Sequence, residues 1–327
     1  NIESPKNLKS WLKSTFEKSL GQAIDLELAT GLCLNEIALT VKEKAHDEAS
    51  LKLYAYLVIK LSQALSRGEV CIELSHVYDL SQKTGVLNKN LDAYLQRYAT
   101  LHTISLADGA ESLKQLSETN PYDLVVNYPL VVMQGRLYFS RYWFYQQQVF
   151  YSISTRLHSV SDQTQVQIQT ETEAKTKELS NTLQTLFVQD AKKETAQPDW
   201  QMIAAANACL NLFSVITGGP GTGKTTTVTR LLAALISQQP NLRIALAAPT
   251  GKAAARLVES ILAAKAKLAQ TFPLAAKIPV TSFTLHRLLG WRPGGFSYNH
   301  KKTLPYDLVI VDEASMVDLP MMAQLME

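Results

Sequence analysis

Residues 196–327 are expected to form an α/β domain on a parallel sheet, behind a mainly helical N-terminal domain and a short connector that contains β-structure. Three observations predict this. Short apolar runs rich in Val, Ile and Ala end near residues 217, 248 and 311, and each gives way to a glycine-rich or polar loop. Strong helical patterns follow the first two loops, the alternation that builds parallel sheets with crossover helices. Before residue 119 the apolar residues recur at three- and four-residue spacing, the period of helices packed on one another.

Leu8, Trp11, Leu12, Phe16 and Leu20 mark a first helix and Leu51–Leu65 a second. Leu91–Leu101 and Ala110–Leu116 continue the pattern, with Gly21, Gly31, Gly68 and Gly85 as punctuation. This N-terminal domain, residues 1–118, holds no catalytic constellation; His46 and His76 stand alone in it. Asn120-Pro121 opens the connector, residues 119–195. Val125–Val132 and Arg136–Phe139, joined by Gln134-Gly135, read as a hairpin. Arg141–Tyr151 starts a helix. Arg141 and Arg156 beside Tyr142, Trp143 and Tyr145 could stack on bases, and core packing serves those aromatics equally well. The polar stretch SDQTQVQIQTETEAK reads as an exposed loop, and Glu178–Val188 as a helix with Leu179, Leu183 and Leu186 on one side. Gln197-Pro198-Asp199 marks a boundary and the start of the next helix.

In the third segment, Phe213–Thr217 reads as a strand, Gly218–Thr225 as a loop and Thr226–Ile236 as a helix. Arg243–Ala248 is the next strand, and APTGKAAARLVES is a loop feeding a helix that begins near Gly251. Ile278–Val280 is a brief strand, TSFTLHRLLG a polar loop running into an amphipathic turn, and Leu308–Val311 a fully apolar strand. Asp318 caps a last helix, with Pro320 in its first turn.

The chemistry gathers in this third segment. GGPGTGKT is G-x-x-x-x-G-K-[ST] between a strand and a helix, the arrangement in which glycines let successive N–H groups turn toward phosphate oxygens. The helix N-terminus adds partial positive charge. The expected nucleotide-binding set is Gly218, Gly219, Pro220, Gly221, Thr222, Gly223, Lys224, Thr225 and Thr226. Lys224 can reach the β- and γ-phosphates of ATP, and the Thr225 hydroxyl can ligate Mg²⁺. Asp312 and Glu313 follow the Leu308–Val311 strand and sit where parallel sheets bind ligands. Asp312 can hold Mg²⁺, and Glu313 can orient and deprotonate an attacking water, which with Lys224 makes the expected catalytic pair. Thr250, Lys252, Thr281, Thr284 and His286 lie at loop–helix junctions; hydroxyls and a cation there suit contacts to a nucleic-acid backbone, or simply cap helices.

Composition narrows the class. The net charge of +3 is unremarkable, but its distribution is uneven: −2 over residues 1–118, 0 over 119–195 and +5 over 196–327. An anionic ligand is therefore expected in the last third. The longest apolar run, Leu53–Ile59, is too short to cross a membrane. The start, NIESPKNLKSW, has no apolar signal region, and Cys33, Cys71 and Cys209 read as free thiols, so the expected location is cytoplasmic. Asn1 in place of Met, and a last helical pattern without a stop signal, suggest that both ends are cut.

Taken together, GGPGTGKTTT, APTGKAAARL, TLHRLLG and VDEASMVDLPMM resemble superfamily 1 DNA helicases of the 5′→3′ branch, and within it the alpha-subunit family of exodeoxyribonuclease V. The resemblance is dense over residues 199–322 and loose before 120, where RLYFSRYWFYQQQV also resembles that family. It implies a RecA-like P-loop NTPase domain and an ATP-dependent helicase acting in double-strand break repair and recombination. It implies that Gln201 reads adenine, and that Thr250, Lys252, Thr284 and His286 meet DNA. It also implies an N-terminal domain that docks on RecB and RecC subunits of a heterotrimer. A helicase of this type needs a second RecA-like lobe, a Gly-Asp-x-x-Gln sensor and late arginines. None lies within these residues, so weak ATP binding, poor hydrolysis and no unwinding are expected of the polypeptide alone. A stand-alone superfamily 1 helicase and a nucleotide-dependent interaction module remain the alternatives; a P-loop kinase or transport ATPase leaves TLHRLLG unexplained.

Overall fold

The computed structural model describes residues 9–10, 12–14, 48–75, 130–162, 169–187, 198–219 and 221–327. The chain falls into two units, Asn1–Gln147 and Gln148–Glu327.

In the first unit, α1 (Glu48–Ser66) takes the place of the helix expected at Leu51–Leu65. Tyr54 through Ile59, Leu61 and Ala64 are all buried, so this helix is apolar around most of its circumference and sits inside the core. Leu12, from the first expected helix, is also buried. The expected helices at Leu91–Leu101 and Ala110–Leu116 lie outside the described residues. Strands β1 (Ile72–Glu73), β2 (Leu130–Met133) and β3 (Arg136–Phe139) form an antiparallel sheet in the order β1-β3-β2. The β2–β3 turn is Gln134-Gly135, with φ of 49° and 73°. Two positive φ values in a two-residue loop match the right-handed twist of a tight hairpin. A two-residue strand such as β1 is too short to leave a period in the sequence. Trp143 packs on Val131 and Tyr138, and its Nε1–H donates to Met133 Sδ at 3.1 Å. Packing therefore claims this aromatic, not base stacking.

Helix α2 (Ser140–Asp162) runs well past the expected Tyr151. Helix α3 (Gln169–Phe187) starts at Gln169 rather than Glu178. Part of the stretch read as an exposed loop is therefore helical; Gln, Glu, Lys and Ala are polar or small but also good helix formers. Arg156 donates to the Ser152 and Met326 carbonyls, at 3.0 and 3.4 Å, and so caps a helix end instead of offering a stacking face.

The second unit contains α3, α4 (Trp200–Leu210), α5 (Lys224–Gln238), β4 (Ile244–Ala248), α6 (Gly251–Leu268), a 3₁₀ turn at Pro273–Lys277, β5 (Ser282–Thr284), α7 (Leu285–Leu288), β6 (Trp291–Arg292), β7 (Gly295–Phe296), β8 (Leu308–Val311), a 3₁₀ turn at Ala314–Met316 and α8 (Leu319–Met326). Strands β5, β4 and β8 form a parallel sheet with β4 in the middle. Alternation along each strand sends side chains to opposite faces. Leu246, Leu308 and Ile310 join α3, α5 and α6 on one face, through Leu183, Leu186, Leu232, Ile236, Leu257 and Ile261. Ala245, Ala247, Val309 and Val311 join Leu285, Leu288, Met321 and Leu325 on the other. A sheet covered on both faces explains why these strands read as unbroken apolar runs. The result is the three-layer α/β fold that the motifs implied.

Two expected strands are displaced. Ile278–Val280 makes no ladder; Ile278 is buried and its carbonyl accepts from Lys265 Nζ at 2.7 Å, so the run closes the end of α6. The strand is β5, four residues later, from the stretch read as a polar loop. Phe213–Thr217 also forms no strand among the described residues. Ile216 packs against the core, but Val215 is 75% exposed, and among the described residues no strand pairs with the run.

Candidate active site

Helix α5 opens directly out of the glycine-rich loop. Its N-cap is Gly223, in the left-handed region at φ 82°, and no side chain caps the first turn. The first intrahelical bond is Thr227 N–H to Gly223 O at 2.9 Å. The N–H groups of Lys224, Thr225 and Thr226 thus lack helical acceptors and carry the helix's partial positive charge, which is the elementary requirement for holding phosphate. Gly221, at φ 74°, makes the second left-handed turn that wraps the loop. Pro220 lies outside the described residues.

The loop bonds to itself. Lys224 Nζ donates to Gly218 O at 2.6 Å and Gly219 O at 2.9 Å, and Thr222 Oγ1 donates to Gly219 O at 2.9 Å. A phosphate would draw the ammonium off these carbonyls. Gln201 comes to the same loop from α4. Asp199 caps that helix by accepting from Gln201 N and Met202 N, and the Gln201 amide donates to Thr222 O at 2.9 Å.

The carboxylates stand at the C-terminal rim of the sheet. Register pairs Ala248 with Thr284 and Ala247 with Val311, so Asp312 ends its strand level with Ala248 and Thr284. Asp312 N–H donates to Ala247 O at 2.9 Å, and Asp312 Oδ1 accepts from Glu313 N at 3.0 Å. Glu313 is held at φ 53°, ψ 40°, a left-handed conformation uncommon for a residue with a side chain. Strain of this kind gathers at sites where orientation matters. Among the described residues no hydrogen bond joins Asp312 or Glu313 to Lys224 or Thr225.

Thr250 and Thr284 are N-caps, as the simpler reading allowed. Thr250 Oγ1 accepts from Ala253 N at 3.2 Å and Thr284 Oγ1 from Arg287 N at 3.3 Å. Each hydroxyl keeps its proton available for an outside acceptor. Lys252 and His286 are exposed on the first turns of α6 and α7.

Sequence reasoning missed the neighbours of His286. Its ring lies 6.4 Å from that of Trp291, edge to face, and 6.2 Å from that of Phe296. Trp291 and Phe296 face each other across the small β6–β7 hairpin, and Trp291 is 55% exposed. Gly290, at φ 65°, brings the hairpin base against Ser297, whose Oγ donates to Gly290 O at 2.8 Å; a Cβ there would fall 2.9 Å from Ser297 Cβ. The signal was present as two aromatics flanking Arg-Pro-Gly-Gly, a turn sequence between short strands.

Cys209 and Asp307 are among the groups perturbed outside the site. Burial pushes the Cys209 thiol up to about 11, and the half-buried residue packs against the core. The Arg243 guanidinium holds the Asp307 carboxyl down at about 2, through bonds of 2.6 and 3.0 Å that tie the start of β8 to the start of β4. No described helix is long and apolar enough to cross a membrane.

Comparison with known proteins bears on the fold and the family resemblance. Residues 201–327 match the family model of an AAA domain. The chain is 40% identical over 208 residues to the RecBCD enzyme subunit RecD of Haemophilus influenzae, covering 60% of this chain and 30% of that one. It is 50% identical over 135 residues to the subunit of the same name from Mycobacterium tuberculosis, covering 39% and 23%. It is 36% identical over 163 residues to the ATP-dependent RecD2 DNA helicase of Deinococcus radiodurans, covering 46% and 20%. The chain thus spans less than a third of the length of these relatives. The second unit carries an α/β P-loop NTPase domain, and the resemblance to superfamily 1 helicases holds.

Proposed function

We propose that this relative of the RecD subunits supplies the N-terminal part and first RecA-like lobe of an ATP-dependent 5′→3′ DNA helicase subunit, acting within RecBCD (exodeoxyribonuclease V) in double-strand break repair and recombination. The observation that carries the reading is the pairing of an uncapped, glycine-wrapped helix N-terminus at Lys224 with two carboxylates at the rim of the same domain's sheet. On this reading residues 1–118 dock on RecB and RecC, 119–195 connect, and 196–327 form the motor lobe. The enzyme works in the cytoplasm on single- and double-stranded DNA.

Each residue then has a task. The backbone of Gly218–Gly223 and the N–H groups of Lys224, Thr225 and Thr226 wrap the phosphates, and Gln201 reads the adenine edge. Lys224 leaves the Gly218 and Gly219 carbonyls for the β- and γ-phosphates. Thr225 and Asp312 offer the hard oxygen donors that Mg²⁺ prefers, and the ion would neutralise phosphate charge as the γ-phosphoryl transfers. Glu313 orients a water and takes its proton as the water oxygen bonds to the γ-phosphorus and the bond to the bridging β–γ oxygen breaks. At the rim of the same sheet, Thr250, Lys252, Thr284 and His286 grip the DNA backbone, and the exposed face of Trp291 stacks on a base.

The test is single-stranded-DNA-stimulated ATP hydrolysis by the assembled enzyme. Lys224→Ala and Glu313→Gln should each abolish turnover while the thermal midpoint holds; retained turnover in either variant overturns the assigned role. The Deinococcus radiodurans relative is named as a DNA helicase without mention of RecBCD, which favours a second reading, a stand-alone motor. Co-purification of residues 1–118 with RecB and RecC would exclude it.

A further inference from the structure

We infer that Gln201 braces the phosphate loop as well as facing the base, so that one amide couples base recognition to phosphate grip. This rests on the nucleotide-site reading above and goes beyond it, because a base reader alone has no need to touch the loop. In the structure the amide already does so. Gln201 Nε2 donates to Thr222 O at 2.9 Å, across 21 residues of sequence. It lies directly over Gly223: a Cβ at that glycine would fall 2.6 Å from Gln201 Nε2 and 3.4 Å from Gln201 Cδ. Thr222 and Gly223 immediately precede Lys224, so a side chain locked against them fixes the turn that aims the first N–H groups of α5.

The brace is anchored at its own end. Gln201 stands in the first turn of α4, where the Asp199 carboxylate accepts from Gln201 N at 3.0 Å and Met202 N at 3.1 Å. One turn on, Ala205 is fully buried against the core. The amide therefore reaches the loop from a fixed helix start. Its chemistry leaves room for both tasks. A primary amide has two N–H groups and one carbonyl. One N–H is committed to Thr222 O; the second N–H and Oε1 are the pair that can meet the N7 and N6 edge of adenine. Thr222 is itself held by its hydroxyl on Gly219 O, so the brace reaches the first glycines of the loop.

Inorganic tripolyphosphate, which has no base, separates the two tasks. Its affinity, with Mg²⁺, is measured by calorimetry for the wild-type chain, Gln201→Ala and the isosteric Gln201→Met, alongside the preference for ATP over GTP. Loss of one loop-ordering hydrogen bond should weaken tripolyphosphate binding about fivefold in both variants and flatten the base preference. If tripolyphosphate affinity is unchanged in both variants while base preference collapses, Gln201 reads the base only; this inference fails and the nucleotide-site reading stands. If the wild-type chain binds neither ATP nor tripolyphosphate, both fail.

Discussion

Gly221 and Gly223 both adopt left-handed φ values that favour glycine, yet the structure distinguishes them. At Gly221, φ is 74° and a Cβ would meet nothing within 4 Å; at Gly223, φ is 82° and the Cβ would press on the Gln201 amide at 2.6 Å. Alanine at 221 therefore adds backbone strain alone, about 1–2 kcal/mol for a left-handed residue with a side chain. Alanine at 223 adds the same strain and also expels Gln201 from Thr222 O, a further ~1 kcal/mol for the lost hydrogen bond. The loop is exposed, so each variant relaxes locally and the fold survives; the cost falls on nucleotide binding, which must restore the wrapped conformation. Converted at 1.4 kcal/mol per decade, the expected losses of Mg·ATP affinity are about 5- to 30-fold for Gly221→Ala and about 30- to 150-fold for Gly223→Ala. Calorimetric titration reads both. Equal losses would show that the close approach of Gln201 is irrelevant. No loss in either would refute the argument that left-handed turns shape the site.

Three further outcomes are expected. Leu232 is fully buried where α5 meets the sheet, so Leu232→Ala should destabilise the second unit by about 2–5 kcal/mol, read by chemical denaturation; a smaller loss would mean that this core is not close-packed there. Trp291→Ala should weaken single-stranded DNA binding about 5- to 150-fold in fluorescence anisotropy with Mg·ATP affinity unchanged, and undiminished DNA binding would remove the hairpin from the interface. The third concerns pH. Because Arg243 depresses the Asp307 pKa from 3.8 to about 2, the stabilisation is full above about pH 4 and is lost as pH falls toward 2. Asp307→Asn should accordingly lower the thermal midpoint at pH 7, with the difference shrinking as pH falls from about 4 through about 2; a pH-independent difference would contradict the pairing.

The strands that matter most were legible because both of their faces carry apolar packing partners, although Leu308–Val311 is only half-buried. Leu308–Val311 and Ile244–Ala248 must be apolar throughout, and no helix period competes with that signal. The helix starts at Thr250 and Asp318 were legible from their caps, which the structure shows as side-chain bonds to Ala253 N and Met321 N. Phe213–Thr217 looked just as strand-like, but a strand is defined by its partner, and sequence does not show which edge is free. β5 was placed four residues early because Ser282, Phe283 and Thr284 alternate too briefly to stand out from the loop around them. The chemistry of the phosphate loop was legible from its glycines and Lys224. Its bond to Gln201 was not, since 21 residues of sequence separate the two groups that meet. His286 stood out by its place in TLHRLLG, while its aromatic neighbours depend on a hairpin whose strands are two residues each.

On the proposed function, residues 196–327 join ATP to a DNA strand in one lobe. The affinity of the assembled enzyme for single-stranded DNA, measured with and without a non-hydrolysable ATP analogue, tests it most directly. A motor lobe must grip DNA differently in its two nucleotide states, and linkage makes the effect reciprocal. The prediction is a DNA affinity that shifts severalfold on adding nucleotide, with the shift abolished by Lys224→Ala. Identical affinity in both states, or a shift that survives in Lys224→Ala, would contradict it.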